Sequence, residues 1–447
     1  MTRPLPDSWR ISTFGALNQF PSSSISPANY PDEKFDLYSV PAFPNATPEV
    51  KLGKDIGSTK QLVHEDSVLV CKINPRINRV WKIPCPNERR QIASSEWIGF
   101  FNKELSPNFF QYFFRSITFR SALCANVIGV GGSLTRAQPK KVASIAVPVA
   151  PINEQRRIAD KLDRVLARVD AANEHLSRIA PLIKRFRQSV LSAATSGKLT
   201  SDLHRDNRNA YERLPLGDLA STRLGKMLDK KKNTGTLVKY IRNVNVRWFS
   251  FDLSDLLSIR IEPHEVQTLS IQDGDVLICE GGEPGRCAVW REGSTDLVFQ
   301  KAIHRARLDS KLLLPEWLAF CLKHQSNTGE IEDFFTGTTI KHLTGVSLAK
   351  LLIPVPPIEE QCEIVRRVEK LFAFADRLEE RLSQAQEAVQ KLTPALLAKA
   401  FRGELVPQDP NDEPASELLK RLQESRANDT KTRRARKPRA TSAVEPS

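Results

Sequence analysis

The sequence predicts a mixed α/β fold built as a tandem duplication, with two divergent globular regions, each followed by one long helix. Three observations predict this architecture. A Pro-rich segment recurs at an offset of 206 residues, from Pro151 to Pro357, and a heptad of apolar residues follows each copy. Short β-like runs separated by Pro, Gly, Asn and Asp fill the two regions upstream of these helices.

The composition is that of a folded, basic protein. The chain has 447 residues, of which 40% are hydrophobic, and a formal net charge of +14 at pH 7. The sequence lacks an apolar run long enough for a membrane span, and its start lacks an apolar leader, so we expect a cytoplasmic protein. The excess of Lys and Arg favours a polyanionic partner, most simply nucleic acid, but it is equally compatible with an ordinary basic protein.

The seven cysteines predict neither a disulfide framework nor a metal site. They are scattered along the chain, form no Cys-x-x-Cys pair and have no histidine cluster nearby. We therefore expect free thiols in a reducing compartment.

The repeat is strongest around the Pro-rich segments. Residues 145–199 align without a gap to residues 351–405, with 16 of 55 positions identical, and both copies end in Gly-x-Leu. A weaker match continues upstream, where Asp66–Cys71 resembles Gly274–Cys279 and Gly132–Thr135 aligns with Thr338–Lys341. Divergence between these anchors is explained by two binding specificities on one scaffold or by drift after duplication.

Each heptad predicts one long helix with an apolar seam. Pairing of the two seams is one explanation, and packing of each helix on its own globular region is the other. Pro181 and Pro394 predict local kinks. The predicted packing positions are Leu162, Val169, Leu176, Ile183, Val190, Val368, Ala375, Leu382, Val389 and Leu396.

Two basic runs are the candidate DNA contacts, since Lys and Arg neutralise phosphates and reach guanine in the major groove. A solvated charge run is the alternative for each residue. The candidates are Lys72, Arg76, Arg79, Lys82, Arg89 and Arg90 in the first region, and Arg223, Lys226, Lys230, Lys231, Lys232, Arg242 and Arg247 in the second. Near the C-terminus, Thr432–Arg439 has the composition of a disordered basic arm, which either adds DNA affinity or is inert.

Nothing in the sequence predicts an active site. The tetrapeptide of DNA methyltransferases and a phosphate-binding Walker A loop are both absent. A loose nuclease pattern occurs twice, at Asp32–Lys34 and Glu49–Lys51, which shows how permissive that pattern is. We expect no metal and no cofactor in this chain.

The combined pattern resembles the specificity subunit of type I restriction–modification enzymes. The resemblance covers about residues 1–405, and its motif residues are Pro151, Glu154, Gln155, Pro357, Glu360 and Gln361. The first copy departs from the family pattern, because Asp66-Ser67 replaces Gly-Asp and Ala150 replaces a proline.

The resemblance implies a non-catalytic subunit that reads a bipartite, asymmetric double-stranded DNA site. Two target recognition domains would each read one half-site, and the helices would form an antiparallel coiled-coil spacer. The chain would dock two modification subunits, which carry S-adenosylmethionine, and restriction or translocase subunits are further candidate partners. Mg and ATP are also implied for the partner subunits and not for this chain. The implied segments are domain 1–150, helix 151–199, linker 200–212, domain 213–356, helix 357–405 and C-terminal extension 406–447.

Two alternative functions remain. A fused enzyme with a hidden nuclease or methyltransferase site would cut or methylate DNA by itself. A coiled-coil scaffold without DNA recognition would do neither and would not discriminate between DNA sequences.

Overall fold

The computed structural model describes residues 4–21, 23–85, 88–125, 127–128, 135–203, 211–229, 233–293 and 295–435. The chain divides into two compact units: Met1–His175 together with Ala385–Ser447, and Leu176–Gln384. Each unit therefore combines one variable region with a part of both long helices, whereas the sequence pattern predicted the helices as separate segments.

The first variable region and the helix after it alternate short strands with short helices. In chain order they are β1 Arg10–Thr13, α1 Phe14–Leu17, β2 Ser24–Ile25, β3 Lys34–Tyr38, β4 Glu49–Leu52, β5 Lys60–Leu62, β6 Val68–Cys71, β7 Val80–Lys82, β8 Arg90–Ala93, β9 Trp97–Phe100, α2 Pro107–Arg115, α3 Ile117–Cys124, β10 Val127–Ile128, β11 Arg136–Ala137, α4 Pro139–Val142, β12 Ala146–Val149 and α5 Ile152–Thr195.

The second variable region follows a similar order. Its elements, with the two helices after it, are β13 Arg213–Pro215, α6 Leu216–Leu219, β14 Ala220–Leu224, β15 Thr236–Ile241, β16 Val246–Arg247, β17 Ser250–Phe251, β18 Leu257–Ile261, α7 Pro263–Leu269, β19 Val276–Cys279, β20 Cys287–Val289, β21 Val298–Phe299, β22 Ile303–Leu308, α8 Pro315–Thr328, α9 Gly345–Ala349, β23 Leu352–Pro354, α10 Ile358–Ala400 and α11 Ala415–Ala435.

Both units share one antiparallel sheet arrangement. In the first unit β6 lies between β7 and β9, and in the second β19 lies between β20 and β22, which also pairs with β14. A second sheet accompanies each: β2-β5-β8-β3-β4 in the first unit and β18-β15-β21 in the second. In each unit the first strand pairs antiparallel with the last, β1 with β12 and β13 with β23, so the region ends where its long helix begins.

The core of each unit includes a buried helix. In α2 the side chain of Ser106 caps the N-terminus, and Phe109, Phe110, Phe113 and Phe114 are buried, since i, i+1, i+4, i+5 spacing places them on one side of a helix. In the second unit α8 buries Trp317 in the same way and closes with Gly329 in the left-handed conformation.

The two long helices run antiparallel within the second unit. The end of α5, at Val190, belongs to the same apolar cluster as the start of α10, at Val368. Farther along, Ile183 clusters with Ala375 and Leu382. Both helices continue past their prolines, α5 past Pro181 and α10 past Pro394.

The predicted packing positions are all buried or half-buried. Exposed fractions are 0% at Leu162, Val368 and Ala375 and reach 8% among the other fully buried positions. Leu176, Val389 and Leu396 are half-buried.

The C-terminal extension contributes to the first unit. Ala415, Leu418 and Leu422 of α11 lie in its core, and the Arg426 guanidinium donates to carbonyl oxygens at the end of α1. Helix α11 continues to Ala435, so the first four residues of the Thr432–Arg439 arm are helical where disorder was expected. A helix started by this packing gains one hydrogen bond for each residue that is added. The remaining residues of that arm lie outside the described residues.

Candidate nucleic-acid interface

A buried glutamine ties the first variable region to α5. The Gln155 side chain donates from Nε2 to the Ala150 carbonyl oxygen (2.8 Å), and its Oε1 accepts from the Ser106 backbone N–H (3.0 Å). Ser106 is the N-cap of α2. The motif glutamine therefore joins the first turn of the long helix to the first turn of the aromatic helix.

Gln361 does the same in the second unit. Its Nε2 donates to the carbonyl oxygens of Pro356 (2.8 Å) and Leu312 (2.9 Å), and its Oε1 accepts from the Leu314 backbone N–H (2.9 Å). Leu314 is the N-cap of α8. Both glutamines are 0% exposed, so their recurrence in the two copies is explained by this structural role.

The motif glutamates hold the segments that enter and leave each unit. Glu154 accepts from the Trp9 indole N–H (3.0 Å) and from the Gln408 side chain (2.6 Å). Glu360 accepts from the Tyr211 hydroxyl (2.7 Å). Burial raises the pKa of the Glu154 carboxyl, although both of its donors act to lower it.

The β6–β7 and β19–β20 connections are equivalent hairpins. We call residues 72–79 hairpin loop 1 and residues 280–286 hairpin loop 2. In each, the N–H of the last strand residue donates to the carbonyl oxygen of the closing arginine, Cys71 to Arg79 (3.0 Å) and Cys279 to Arg286 (2.8 Å).

Left-handed backbone occurs at matching positions of the two loops. The residue before the closing arginine has φ 53° at Asn78 and φ 90° at Gly285. Asn and Gly are the residues that adopt this conformation at least cost. The two loops therefore close on the same backbone conformation, although hairpin loop 1 is one residue longer and the side chains differ.

Their charges are opposite. Hairpin loop 1 carries three basic residues and no acid: Lys72, Arg76 and Arg79. Hairpin loop 2 carries two acids and one base: Glu280, Glu283 and Arg286. The Arg286 guanidinium donates to Glu283 and to Asn243, so it is already engaged within the unit.

Neighbouring segments extend each loop into a broader surface. The loop face of the first unit comprises hairpin loop 1 with residues 94–96 and 135–137. Lys72 donates its backbone N–H to the Glu96 carbonyl oxygen (3.0 Å), and Ala137 donates to that of Lys72 (2.8 Å). The loop face also brings in Arg136, which is 55% exposed and pairs with Glu96.

The loop face of the second unit comprises hairpin loop 2 with residues 225–229, 242–245, 300–302 and 336–343. Backbone hydrogen bonds connect these segments: Lys301 to Lys226 (2.8 Å), Glu280 to Ala302 (2.9 Å) and Leu343 to Glu280 (2.7 Å).

The basic run of the first region is divided between two places. Lys72, Arg76 and Arg79 precede β7, and Lys82 ends it, where its Nζ donates to the Asn108 side chain (2.8 Å) and lies 3.7 Å from Asp66. Strand β7 thus separates the loop residues from the rest of the run.

Arg89 and Arg90 instead contact residues in and beside the five-stranded sheet. Arg89 donates to Asp36 (2.7 Å), whose side chain is 1% exposed. Arg90 pairs with Glu33 and lies over the Tyr30 ring at 4.3 Å. These contacts give both arginines a structural role, so a DNA role for them remains a prediction.

The candidates of the second region are mostly paired. Lys226 donates to Glu265 (2.5 Å) and thereby lowers the pKa of that carboxyl; Arg242 donates to Asp255 (2.6 Å). Arg247 lies 3.8 Å from Asp252. Arg223 is exposed on β14, without an ion pair among the described residues.

Three further candidates, Lys230, Lys231 and Lys232, lie outside the described residues. Sequence reasoning also missed two exposed bases, Arg136 and Lys301, because tertiary contacts rather than local clustering bring them to the loop faces. For Arg136 a signal existed, since it directly follows the repeated Gly132–Thr135 turn.

Neither a metal site nor a membrane-spanning helix occurs in the described ranges. No group of three or more His, Cys, Asp or Glu side chains there could hold a metal ion. Among the helices of the same ranges, none is long and apolar enough to cross a membrane.

Comparison with known proteins identifies the family. The chain is 30% identical over 346 residues to the type I restriction enzyme EcoBI specificity subunit of Escherichia coli, covering 71% of this chain and 72% of that protein. The chain belongs to the type I restriction enzyme specificity subunits. It is also similar to the EcoKI specificity subunit of E. coli K12, with 29% identity over 341 residues and 73% of each chain covered.

A family model matches part of the chain, and two solved structures share its fold. Residues 209–387 match the type I restriction modification DNA specificity domain. The HsdS subunit of Thermoanaerobacter tengcongensis has the same fold, with a TM-score of 0.63 and 20% identity over 90% of this chain and 99% of that one. A chain solved in a study of complex assembly in the type I R-M system has a TM-score of 0.68 and 19% identity, covering 90% of this chain and 100% of that one.

The structure and its likeness to these solved structures confirm the predicted fold class of two α/β regions and two long helices. Membership in this family makes the chain the DNA-specificity component of a restriction–modification system rather than the catalytic one. The individual DNA contacts are not fixed by this assignment.

Proposed function

We propose that each unit reads one half of a bipartite, asymmetric double-stranded DNA site through its loop face. The observation that carries this proposal is the pair of hairpin loops. They share strand register, a closing arginine with its hydrogen bond, and left-handed positions. Within this frame, one loop carries Lys72 and Arg76 whereas the other carries Glu280 and Glu283. A common frame with different side chains at its tip supports two readers with different half-sites.

The chemistry of hairpin loop 1 supports contact with the DNA backbone and with guanine. Arg76 is exposed, and no acid within the loop neutralises its three bases. Each base that neutralises a phosphate releases counterions, and an arginine can bind guanine O6 and N7 together. Hairpin loop 2 offers carboxylates, which accept from the cytosine amino group.

We further propose that the chain docks two modification subunits, one for each copy of the repeat. Supporting this number, each unit repeats the same clamp, made by Gln155 in one and Gln361 in the other. One structural neighbour comes from a study of complex assembly in a type I system, which supports partner docking for the family. S-adenosylmethionine would be bound by these partners, and Mg and ATP by a restriction subunit.

Exchange of one variable region tests the two-reader proposal. Residues 211–356 are replaced by the matching segment of a family member with a different target, and the methylated sites of host DNA are mapped with the modification subunits present. We expect one half-site to change and the other to remain. A change in both half-sites, or in neither, would overturn the proposal.

A further inference from the structure

A short closed loop projects from the loop face of the second unit. The backbone N–H of Thr336 donates to the His342 carbonyl oxygen (2.8 Å), and the N–H of His342 donates to that of Thr336 (2.9 Å). The turn inside is tight, because Gly337 has φ 90° and a Cβ there would lie 2.3 Å from the Ile340 carbonyl oxygen. The backbone of this loop is therefore well defined.

The most prominent side chain of this loop is apolar. Ile340 is 66% exposed, and its neighbours Thr338, Thr339 and Lys341 are exposed polar residues. Burying an isoleucine side chain stabilises a fold or a complex by about 1.5–3 kcal/mol. The exposed Ile340 side chain does not contribute this free energy to the fold. Isolated exposed apolar residues are common on proteins, so exposure alone assigns no role.

The position of the loop supplies the second observation. Leu343 donates its backbone N–H to the Glu280 carbonyl oxygen (2.7 Å), and the His342 ring lies 3.2 Å from where a Cβ on Gly281 would stand. The closed loop of residues 336–342, which carries Ile340, is thus attached to hairpin loop 2 on the surface proposed to face DNA.

The repeat supplies a third observation. At the offset of 206 residues, Leu134 aligns with Ile340, and a small hydroxyl residue precedes each of them: Ser133 and Thr339. Leu134 lies outside the described residues, so this correspondence rests on sequence. A large aliphatic residue after a hydroxyl residue is thus retained in both copies although most of the surrounding sequence differs.

We infer that the Ile340 side chain contacts the 5-methyl group of a thymine in the half-site read by the second unit. This inference rests on the proposed function. A protein partner would need more apolar surface around Ile340, whereas a base edge presents one methyl group among hydrogen-bonding groups. The hydroxyls of Thr338 and Thr339 suit those polar neighbours.

The test removes the methyl group from the DNA. The complete methyltransferase complex is assembled, its target is read from the methylation map of host DNA, and each thymine of the second half-site is replaced by uracil in turn. We expect uracil at one position to weaken binding about 3- to 10-fold, the value of one buried methyl group. With Ile340→Ala, thymine and uracil at that position should bind equally, and the slope of affinity against salt should be unchanged.

Two variants serve as controls. Ile340→Val keeps a branched apolar side chain and should retain most of the discrimination. Val346→Ala changes a residue that is 71% exposed but lies beside Pro215 and Gly217, so the discrimination should be intact. Two results would overturn the inference. One is that Ile340→Ala discriminates between thymine and uracil as the natural protein does at every position; the other is that the natural protein discriminates at none. Failure of the residue 211–356 exchange would instead overturn the two-reader proposal.

Discussion

The two units place different kinds of residue at the equivalent position of their hairpin sheets, apolar in the first unit and charged in the second. In the first unit, Gly99 stands across from Leu69, and a Cβ on Gly99 would lie 2.5 Å from the Phe20 ring. In the second, Arg305 stands across from Leu277 at the equivalent register and is 7% exposed. At this position, therefore, the first unit has a glycine covered by the Phe20 ring, and the second unit has the side chain of Arg305.

This difference explains the departure of the first copy from the family pattern. Asp275, in the Gly-Asp position, is 1% exposed and accepts from the Arg307 guanidinium at 2.7 and 2.8 Å, with Arg305 at 4.0 Å. Ser67 takes the place of Asp275 in the first unit, where its hydroxyl has no partner among the described residues. The carboxylate of Asp275 therefore occurs in the unit whose sheet contains Arg305 and Arg307, and it is absent from the unit without them.

The hairpin frame does not depend on which side chains fill the sheet beside it. Ile83 donates to the Ser67 carbonyl oxygen (2.8 Å), as Trp290 does to that of Asp275 (2.8 Å). Since the backbone pairing is identical, side chains on and beside the hairpin can diverge while the frame is kept. Such a frame suits two readers of different DNA.

Removing the carboxylate should separate the units most strongly. Asp275→Ala leaves Arg305 and Arg307 without their anion, and we expect the second unit to lose about 3 kcal/mol of its free energy of unfolding. Urea unfolding of the full chain measures the loss. The matched variant Ser67→Ala should change stability little, because it removes an unpartnered hydroxyl. Equal losses for the two variants would contradict the comparison.

The loop charges predict a difference in salt dependence. Replacing Lys72, Arg76 and Arg79 with Gln should weaken DNA binding about tenfold or more. The slope of log affinity against log salt should fall by about 1 for each phosphate that these side chains no longer neutralise. Fluorescence titration of the assembled complex with a target duplex at several salt concentrations measures both.

The controls come from the opposite end of β7 and from the other unit. Lys82→Gln should leave the slope unchanged, because Lys82 is engaged with Asn108 and Asp66. Glu280→Gln in hairpin loop 2 should not reduce the slope, since no cation is removed. A triple variant with the natural slope would take hairpin loop 1 out of the phosphate contacts.

The features that the sequence predicted are those with a periodic or repeated pattern. The seam from Leu162 to Leu396 is visible because helical spacing is local, and the duplication is visible because Gln155 and Gln361 keep their partners in the fold. The extent of α11 was not visible, since its charged sequence is held by packing on a distant core.

The candidate site was predicted less completely, because adjacency in sequence is not adjacency on a surface. The run from Lys72 to Arg90 reads as one cluster, but a three-residue strand sends its two ends apart. Arg136 joins the loop face from more than fifty residues away, through the Ala137 hydrogen bond to Lys72. Whether an arginine meets Asp36 or solvent is decided by tertiary contacts alone.

The smallest expected effect lies at the turn before β6. Asp66 has φ 60°, where its counterpart Gly274 has φ 84°. Asp tolerates this left-handed conformation but not as easily as Gly, so we expect Asp66→Gly to stabilise the first unit by about 0.5 kcal/mol, after the greater freedom of Gly in the unfolded chain is counted. Thermal unfolding of the full chain measures the shift.

The reciprocal change completes this test. Gly274→Asp should destabilise the second unit by a similar amount, because the same left-handed turn must then hold a Cβ. Asp66→Asn separates backbone from charge: Asn also tolerates the left-handed conformation, and the pair with Lys82 at 3.7 Å is too exposed to contribute much. If Asn destabilised as much as Gly stabilised, the ion pair and not the turn would be the reason that Asp stands at position 66.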